Sequence, residues 1–375
     1  MNSNNPLILY IFGSGRTKLI DSKKTYPKDF FYGYFDVVNK YSETDFIEFE
    51  NGINRKFINK ILFIFSKILR KLTKLSFFFE NICTYKNFKI LLKTDKVVLT
   101  NDRIGLSVLP FLIVLKLFKK TESTVIVMGL LAKQTNTLRS HILQRLFLIL
   151  FFKTVTNFMF LSKGEFKQAE VSYRKYKHKF YFTPFCIDTD FWSRTEKPTD
   201  NNKIIFVGND GRRDYELVVQ IAEKLPQYEF TFITSNINEN QIRSKNVKLL
   251  KGHWNKQILS DDEMKKIYSK SSLSIIPIHN SYQPSGQSVA LQSMSIGIPV
   301  MITDTDGFWD KDKFSNNENI LFVEKNIVSI WIKSINKIMN DIQLQNDISS
   351  EGLNTVKEHY ESSIFSEKLF KVLDI

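Results

Sequence analysis

Short apolar runs alternate with amphipathic stretches along the whole chain. In the first half, LILYIF (7–12), DKVVLT (95–100), STVIVM (123–128) and NFMFLS (157–162) read as buried strands. Helical spacing separates them at roughly 55–79, 104–118, 137–153 and 163–175. The second half repeats the pattern with strands KIIFVG (203–208), YEFTFITS (228–235), VKLLKG (247–252), SLSIIPI (272–278), PVMIT (299–303) and ILFV (320–323). Helices at 214–225 and 261–271 lie between them. Strict alternation predicts parallel sheets covered on both faces: an α/β chain of two Rossmann-like, doubly wound blocks. The polar, proline-containing SRTEKPTDNN (193–202) reads as the linker. A helical tail, with stretches at 328–342 and 356–375, is long enough to return towards the first block. The expected division is a first domain over 1–195, a second over 196–352 and a crossing C-terminal helix over 353–375. Sheets of this kind bind ligands beyond the carboxyl ends of their strands, so the cleft between two such domains is the expected site.

Composition narrows the class. At 375 residues, 43% apolar and 25% charged, the chain has the makeup of a folded two-domain protein. Cys83 and Cys186 form neither a close pair nor a ligand cluster, which points to a reducing compartment. The start, MNSNNPLILY, has no signal-peptide pattern, and the longest apolar runs fall short of a bilayer span. The expectation is a cytoplasmic protein, peripheral at most on the inner membrane face.

The net charge of +14 raises the question of an anionic partner. RKFINKILFIFSKILRKLTKL (55–75) contains no acidic residue. Lys56, Lys60, Lys67, Lys71 and Lys74 recur along one side at helical spacing. Ile58, Ile61, Leu62, Phe65, Ile68, Leu69, Leu72 and Leu75 recur along the other. Such a helix fits an anionic membrane surface; the alternative is a core helix with a solvated basic face. No recognition motif or stacking pattern accompanies the charge, so nucleic acid is not an expected partner.

The segment NSYQPSGQSVALQSMSIGIPV (280–300) carries the clearest chemistry. A small polar loop follows the strand SLSIIPI and runs straight into a helix. The first-turn N–H groups of that helix are unpaired, and its dipole is positive at that end. Gly286 permits close approach, and Ser285 and Ser288 add hydroxyls, which suits a phosphate or diphosphate. Ser288, Gln292 and Ser295 form one polar stripe, while Val289, Leu291 and Met294 face the sheet. An ordinary strand–loop–helix link with a serine cap is the competing reading.

SYQPSGQSVALQSMSIGIPVMITDTDG resembles the donor-binding segment of retaining nucleotide-sugar glycosyltransferases of the GT-B fold, the "group 1" family. YFTPFCIDTDFW (181–192) and KIIFVGNDGRRDYELVVQIAEKL (203–225) extend the likeness. The resemblance is good over 180–325 and architectural before that. It implies two Rossmann-like domains facing across a cleft and a nucleotide-sugar donor. The acceptor would be a glycan or lipid-linked group, as in surface polysaccharide or glycolipid synthesis, with no cofactor and no metal. It places donor contacts at Gly208, Arg212, Arg213, Gln283, Ser285, Gly286, Gln287, Ser288, Val289 and Gln292. Catalytic stabilisation falls to Arg213 and the backbone at Gly286. The family's two glutamates are replaced by Pro284 and Gln292, the second being the ribose-binding position. Gln292 can still hydrogen-bond there without charge assistance.

Arg213 matches the family's diphosphate-binding cation; a surface arginine beside Asp214 or Glu216 is the alternative. The loop Gly13, Ser14 and Gly15 after the first strand corresponds to the acceptor side, or is simply a tight turn. The two Asp-Thr-Asp triplets, at Asp188–Asp190 and Asp304–Asp306, read as loop polarity and capping, not metal ligation. His253 and His279 have no partner at ligand spacing, although His279 ends a strand near the expected cleft. Two other readings stay open: a sugar-nucleotide epimerase of the same fold, and a catalytically silent nucleotide-sugar-binding subunit.

Overall fold

The computed structural model describes residues 6–22, 25–49, 57–118, 121–195, 201–251 and 259–375. His253 and Lys56 lie outside them. The chain divides into two compact units. The first comprises residues up to Thr25, Phe30–Pro184 and Phe365–Ile375, and the second Tyr26–Asp29 and Phe185–Ile364.

The first unit runs β1 (Ile8–Phe12), α1 (Arg16–Ile20), α2 (Tyr34–Lys40), β2 (Thr44–Glu48), α3 (Phe57–Thr73), α4 (Tyr85–Lys93), β3 (Lys96–Leu99), α5 (Asp102–Phe118), β4 (Glu122–Val127), α6 (Leu138–Thr154), β5 (Asn157–Phe160), α7 (Lys163–Ser172) and β6 (Phe180–Phe182). Its six strands form one parallel sheet in the order β2-β1-β3-β4-β5-β6. All five residues of β1 are buried, as a central strand covered on both faces requires.

The second unit contains β7 (Lys203–Val207), α8 (Tyr215–Lys224), β8 (Glu229–Ile233), β9 (Val247–Leu250), α9 (Asp261–Ser269), β10 (Leu273–Ile276), α10 (Gln287–Ser295), β11 (Val300–Thr303), β12 (Leu321–Val323), α11 (Val328–Met339) and α12 (Ile342–His359). Its strands are again all parallel, in the order β12-β11-β10-β7-β8-β9. The chain leaves β7 in one direction through β8 and β9, then returns to its other side with β10. The switch point therefore lies between β7 and β10. That is where such sheets open a crevice for ligands.

A final helix, α13 (Ser362–Leu373), contributes Phe365 onward to the first unit. There the Asn157 side-chain amide donates to the Val372 carbonyl at 3.0 Å, and the Tyr32 and Phe365 rings meet at 5.8 Å.

Three differences from the sequence reading have physical causes. β2 is half-buried at the sheet edge, so TDFIE shows no apolar run. The expected single helical stretch over 356–375 is two helices. Tyr360 leaves helical geometry at φ −133°, and Glu361 caps the next turn by accepting from the Ser363 N–H at 2.7 Å. α12 was missed because its buried stripe, Gln345, Ile348, Gly352 and Val356, is only half aliphatic.

α3 is shorter than the helical stretch expected over 55–79. It ends at Thr73, and Lys74 takes the left-handed conformation at φ +60° that stops a helix. Its inward line is Leu62, Ser66, Leu69 and Thr73, while Ile61, Phe65, Ile68 and Leu72 stay exposed. The bulky residues do not all face the core.

Candidate functional site

The two loops at the switch point are zipped together by backbone. The Asp214 N–H donates to the Pro277 carbonyl at 3.0 Å, and the His279 N–H to the Arg212 carbonyl at 2.8 Å. Arg213 forms an isolated antiparallel bridge with Ile278. This holds the β7–α8 loop beside the loop that leads into α10.

Arg213 is 4% exposed. Its Nε donates to the Val207 carbonyl at 3.3 Å, and Nη1 pairs with the Asp210 carboxylate at 3.0 Å. The guanidinium lies over Gly208, where an added Cβ would stand 2.5 Å from Nε. At Gly286 an added Cβ would lie 3.6 Å from Nη1. Gly208, Arg213 and Gly286 are thus brought together at the end of the sheet. The partner is Asp210, not Asp214 or Glu216. The surface-arginine alternative is therefore incorrect.

Gly286 is the N-cap of α10 with φ +85° and offers no side-chain cap. Two other helices of this unit are capped by side chains: Asp214 accepts from the Leu217 N–H at 3.1 Å for α8, and Ser260 from the Glu263 N–H at 3.2 Å for α9. In α10 the intrahelical ladder begins with the Ala290 N–H, donated to the Gly286 carbonyl at 2.8 Å. The first-turn N–H groups of Ser288 and Val289, before it, lie outside that ladder. The hydroxyl of Ser285, itself 7% exposed, is buried without a hydrogen-bond partner. A buried cation beside the positive end of a helix dipole makes this end of the sheet locally electropositive around the Arg213–Asp210 pair. An anion would be attracted there.

Around this core, the Arg212 Nε donates to the Gln283 side-chain oxygen at 3.5 Å. The Tyr215 hydroxyl donates to the Asp210 carbonyl at 2.7 Å and accepts from the Asn236 amide at 2.8 Å. Asn209 accepts from the Ser235 N–H at 2.6 Å. Asp210, Tyr215 and Asn209 thereby shape the rim. Sequence reading passed over them, although the turn signal Asn-Asp-Gly in 209–211 marks the loop.

Three expectations need correction. The resemblance implies a ribose contact for Gln292, but it is 8% exposed and its amide donates to the Asp29 carboxylate at 3.0 Å. The Trp192 indole N–H and the Asp188 backbone N–H donate to the same carboxylate, each at 2.7 Å. Burial pushes the Asp29 carboxyl up to about 7, against the opposing pull of those donors. Gln292 thus serves a buried polar cluster. The polar stripe it belongs to is likewise occupied: Ser295 donates to the Trp192 carbonyl at 2.7 Å, and Ser288 alone of α10 is half-exposed. Finally, a side chain at Gly286 would point at Ile276 Cγ2, 2.8 Å away, and not out towards a ligand.

The remaining candidates are accounted for locally. Asp188 caps the turn at Phe191, accepting its N–H at 3.0 Å, and Asp306 pairs with the Asn280 amide at 2.8 Å. Among the described residues no three His, Cys, Asp or Glu side chains gather as metal ligands. The His279 ring is exposed, 3.8 Å from the Asp214 carboxylate. In the first unit, Gly13 and Gly15 have open space around them, and Gly15 at φ +98° starts the short helix α1.

Two doubly wound, six-stranded parallel units define the GT-B fold of glycosyltransferases. Comparison with solved structures places the chain there. Anabaena HepE in complex with UDP superposes with a TM-score of 0.68 at 12% identity, over 98% of this chain and 99% of that one. Sucrose-phosphate synthase from Thermosynechococcus elongatus gives 0.66 at 11% identity, over 97% of each. A glycosyltransferase from Rickettsia africae gives 0.61 at 10%, over 99% of this chain and 98% of that one. No family profile and no curated protein matches the sequence itself.

Proposed function

We propose that the chain is a glycosyltransferase that moves a sugar from a nucleoside diphosphate to a glycan or lipid-linked acceptor. The observation that carries this reading is the convergence of Arg213 with the uncapped N-terminus of α10 at the switch point of the second sheet. The diphosphate would lie against the N–H groups of Ser288 and Val289, with Ser285, Arg212 and Gln283 beside it. The complexes of HepE with UDP and with UDP-glucose support a nucleotide-sugar and make UDP the first nucleotide to test.

In this reaction the bond between the anomeric carbon and the diphosphate oxygen breaks. The acceptor hydroxyl oxygen forms the new bond, and its proton passes to the leaving diphosphate or to water. Charge grows on the leaving diphosphate, where Arg213 and the helix N–H groups are already aimed. Preorganised donors of this kind are worth about 3–4 kcal/mol each to a transition state. Retention of configuration, independence from metal, and a place in surface polysaccharide or glycolipid synthesis belong to the same proposal.

One observation favours a second reading, a silent nucleotide-sugar-binding subunit. Neither Pro284 nor Gln292 supplies a carboxylate, and Gln292 is engaged with Asp29. Turnover separates the readings. The purified protein is incubated with UDP-glucose and other nucleotide-sugars, with and without membrane-extracted acceptor lipids. Diphosphate release that depends on acceptor is the expected outcome. Conversion of the sugar without acceptor would mean an epimerase, and binding without any turnover the silent subunit.

A further inference from the structure

Two neighbouring helices of the first unit leave their apolar stripes uncovered. On α3, Ile61, Phe65, Ile68 and Leu72 recur at i, i+4, i+7 and i+11 and are 44–53% exposed. On α6, Leu138, Ile142, Leu146 and Leu150 recur every fourth residue and are 37–74% exposed. The helices are joined directly. The Gln144 amide donates to the Thr73 carbonyl at 2.9 Å, Ser140 donates to the Leu72 carbonyl, and the Phe77 and Phe147 rings pack edge to face at 5.3 Å. Isolated exposed aliphatics need no explanation, but stripes of four on each of two packed helices do.

Charge indicates what covers them. Lys60, Lys67, Lys71 and Lys74 flank the α3 stripe, all exposed, and Arg139, Arg145 and Lys153 are exposed on α6. Neither helix contains an acidic residue. A second copy of this face meeting it about a two-fold axis would set lysines against lysines. An anionic lipid surface instead neutralises the cations while its acyl boundary takes the aliphatic stripes. No helix among the described residues is long and apolar enough to cross a membrane.

We propose that α3 and α6 together form a membrane-seating face, with α6 supplying half of the inserted apolar surface. This goes beyond the single basic helix legible in the sequence.

The test is flotation of the full chain with vesicles of zwitterionic lipid, with and without an anionic lipid. Wild type is expected to float with the anionic vesicles and to retain part of that binding in high salt. Ile142→Asp with Leu146→Asp changes only exposed positions and should lower partitioning about a hundredfold, the loss expected for two inserted side chains of this size. Lys67→Glu with Lys71→Glu should remove the preference for anionic lipid. A native far-UV spectrum and unfolding curve for each variant confirm folding. The proposal is overturned if wild type ignores anionic vesicles, or if the α6 pair binds like wild type. It is also overturned if wild type is a dimer that the α6 pair splits, since a second copy would then cover the face. None of these outcomes depends on nucleotide binding, so the lipid and transferase proposals fail separately.

Discussion

Replacing Arg213 by alanine should lower kcat/KM for sugar transfer by about a hundred- to a thousandfold, the usual effect of removing one preorganised donor from a developing anion. The side chain is buried and is held by the Val207 carbonyl and by Asp210, so its fork is already in place before any ligand arrives. Stability should suffer less than activity. The Asp210 carboxylate left behind is 32% exposed and can take up water. Arg213→Lys keeps the charge but loses the planar fork, and should recover only part of the rate. Arg212 is half-buried and its Nε donates to the Gln283 side chain at a long 3.5 Å, so Arg212→Ala should stay within a few-fold of wild type. Steady-state kinetics of the three variants check the assignment. Near-wild-type rates for Arg213→Ala would remove it.

The second large effect is on folding. At Gly286 a valine must adopt φ +85°, which costs an L-residue about 1–2 kcal/mol. Its Cβ must also fit 2.8 Å from Ile276 Cγ2 and 3.4 Å from Ile302 Cδ1, and overpacking of that kind costs about 1–3 kcal/mol. The second unit should therefore lose about 2–5 kcal/mol of stability in Gly286→Val, measured as a shift in the urea midpoint. Any loss of nucleotide binding in this variant would follow from that instability and from crowding of Arg213, whose Nη1 lies 3.6 Å from the new Cβ. An unchanged midpoint would show that the loop relaxes and that the glycine is not required by the fold.

The sheets were readable because buried parallel strands are nearly continuous apolar runs. KIIFV and SLSII announce themselves, whereas the half-buried edge strand TDFIE does not. The loop before α10 was readable as a strand-to-helix connection because a small, polar, glycine-containing segment separates two apolar stretches. What surrounds it was less accessible. Gln292 meets Asp29 across 263 positions, and nothing local marks that pairing. The burial of Arg213 depends on Gly208, whose missing side chain leaves room for the guanidinium. On α3 the spacing selected an apolar face that includes Ile61, Phe65, Ile68 and Leu72, which stay exposed. Beside Leu69 the fold buries Ser66 and Thr73, whose hydroxyls bond to backbone: Ser66 accepts from the Phe79 N–H at 3.0 Å, and Thr73 donates to the Leu69 carbonyl at 2.7 Å. Periodicity sees size and polarity, not hydrogen bonds to a neighbouring turn.

The central claim is that the switch-point loops of the second unit hold a nucleoside diphosphate. Thermal unfolding of the wild type with UDP, other nucleoside diphosphates and the matching nucleosides tests it without knowledge of the acceptor. A ligand at a hundredfold excess over its dissociation constant adds about 2.7 kcal/mol to the folded state. At least one diphosphate should raise the midpoint clearly, its nucleoside should raise it little, and Arg213→Ala should lose most of the shift. If no diphosphate moves the wild-type midpoint, or if nucleoside and diphosphate act alike, the loop before α10 is a connection and not a phosphate cradle.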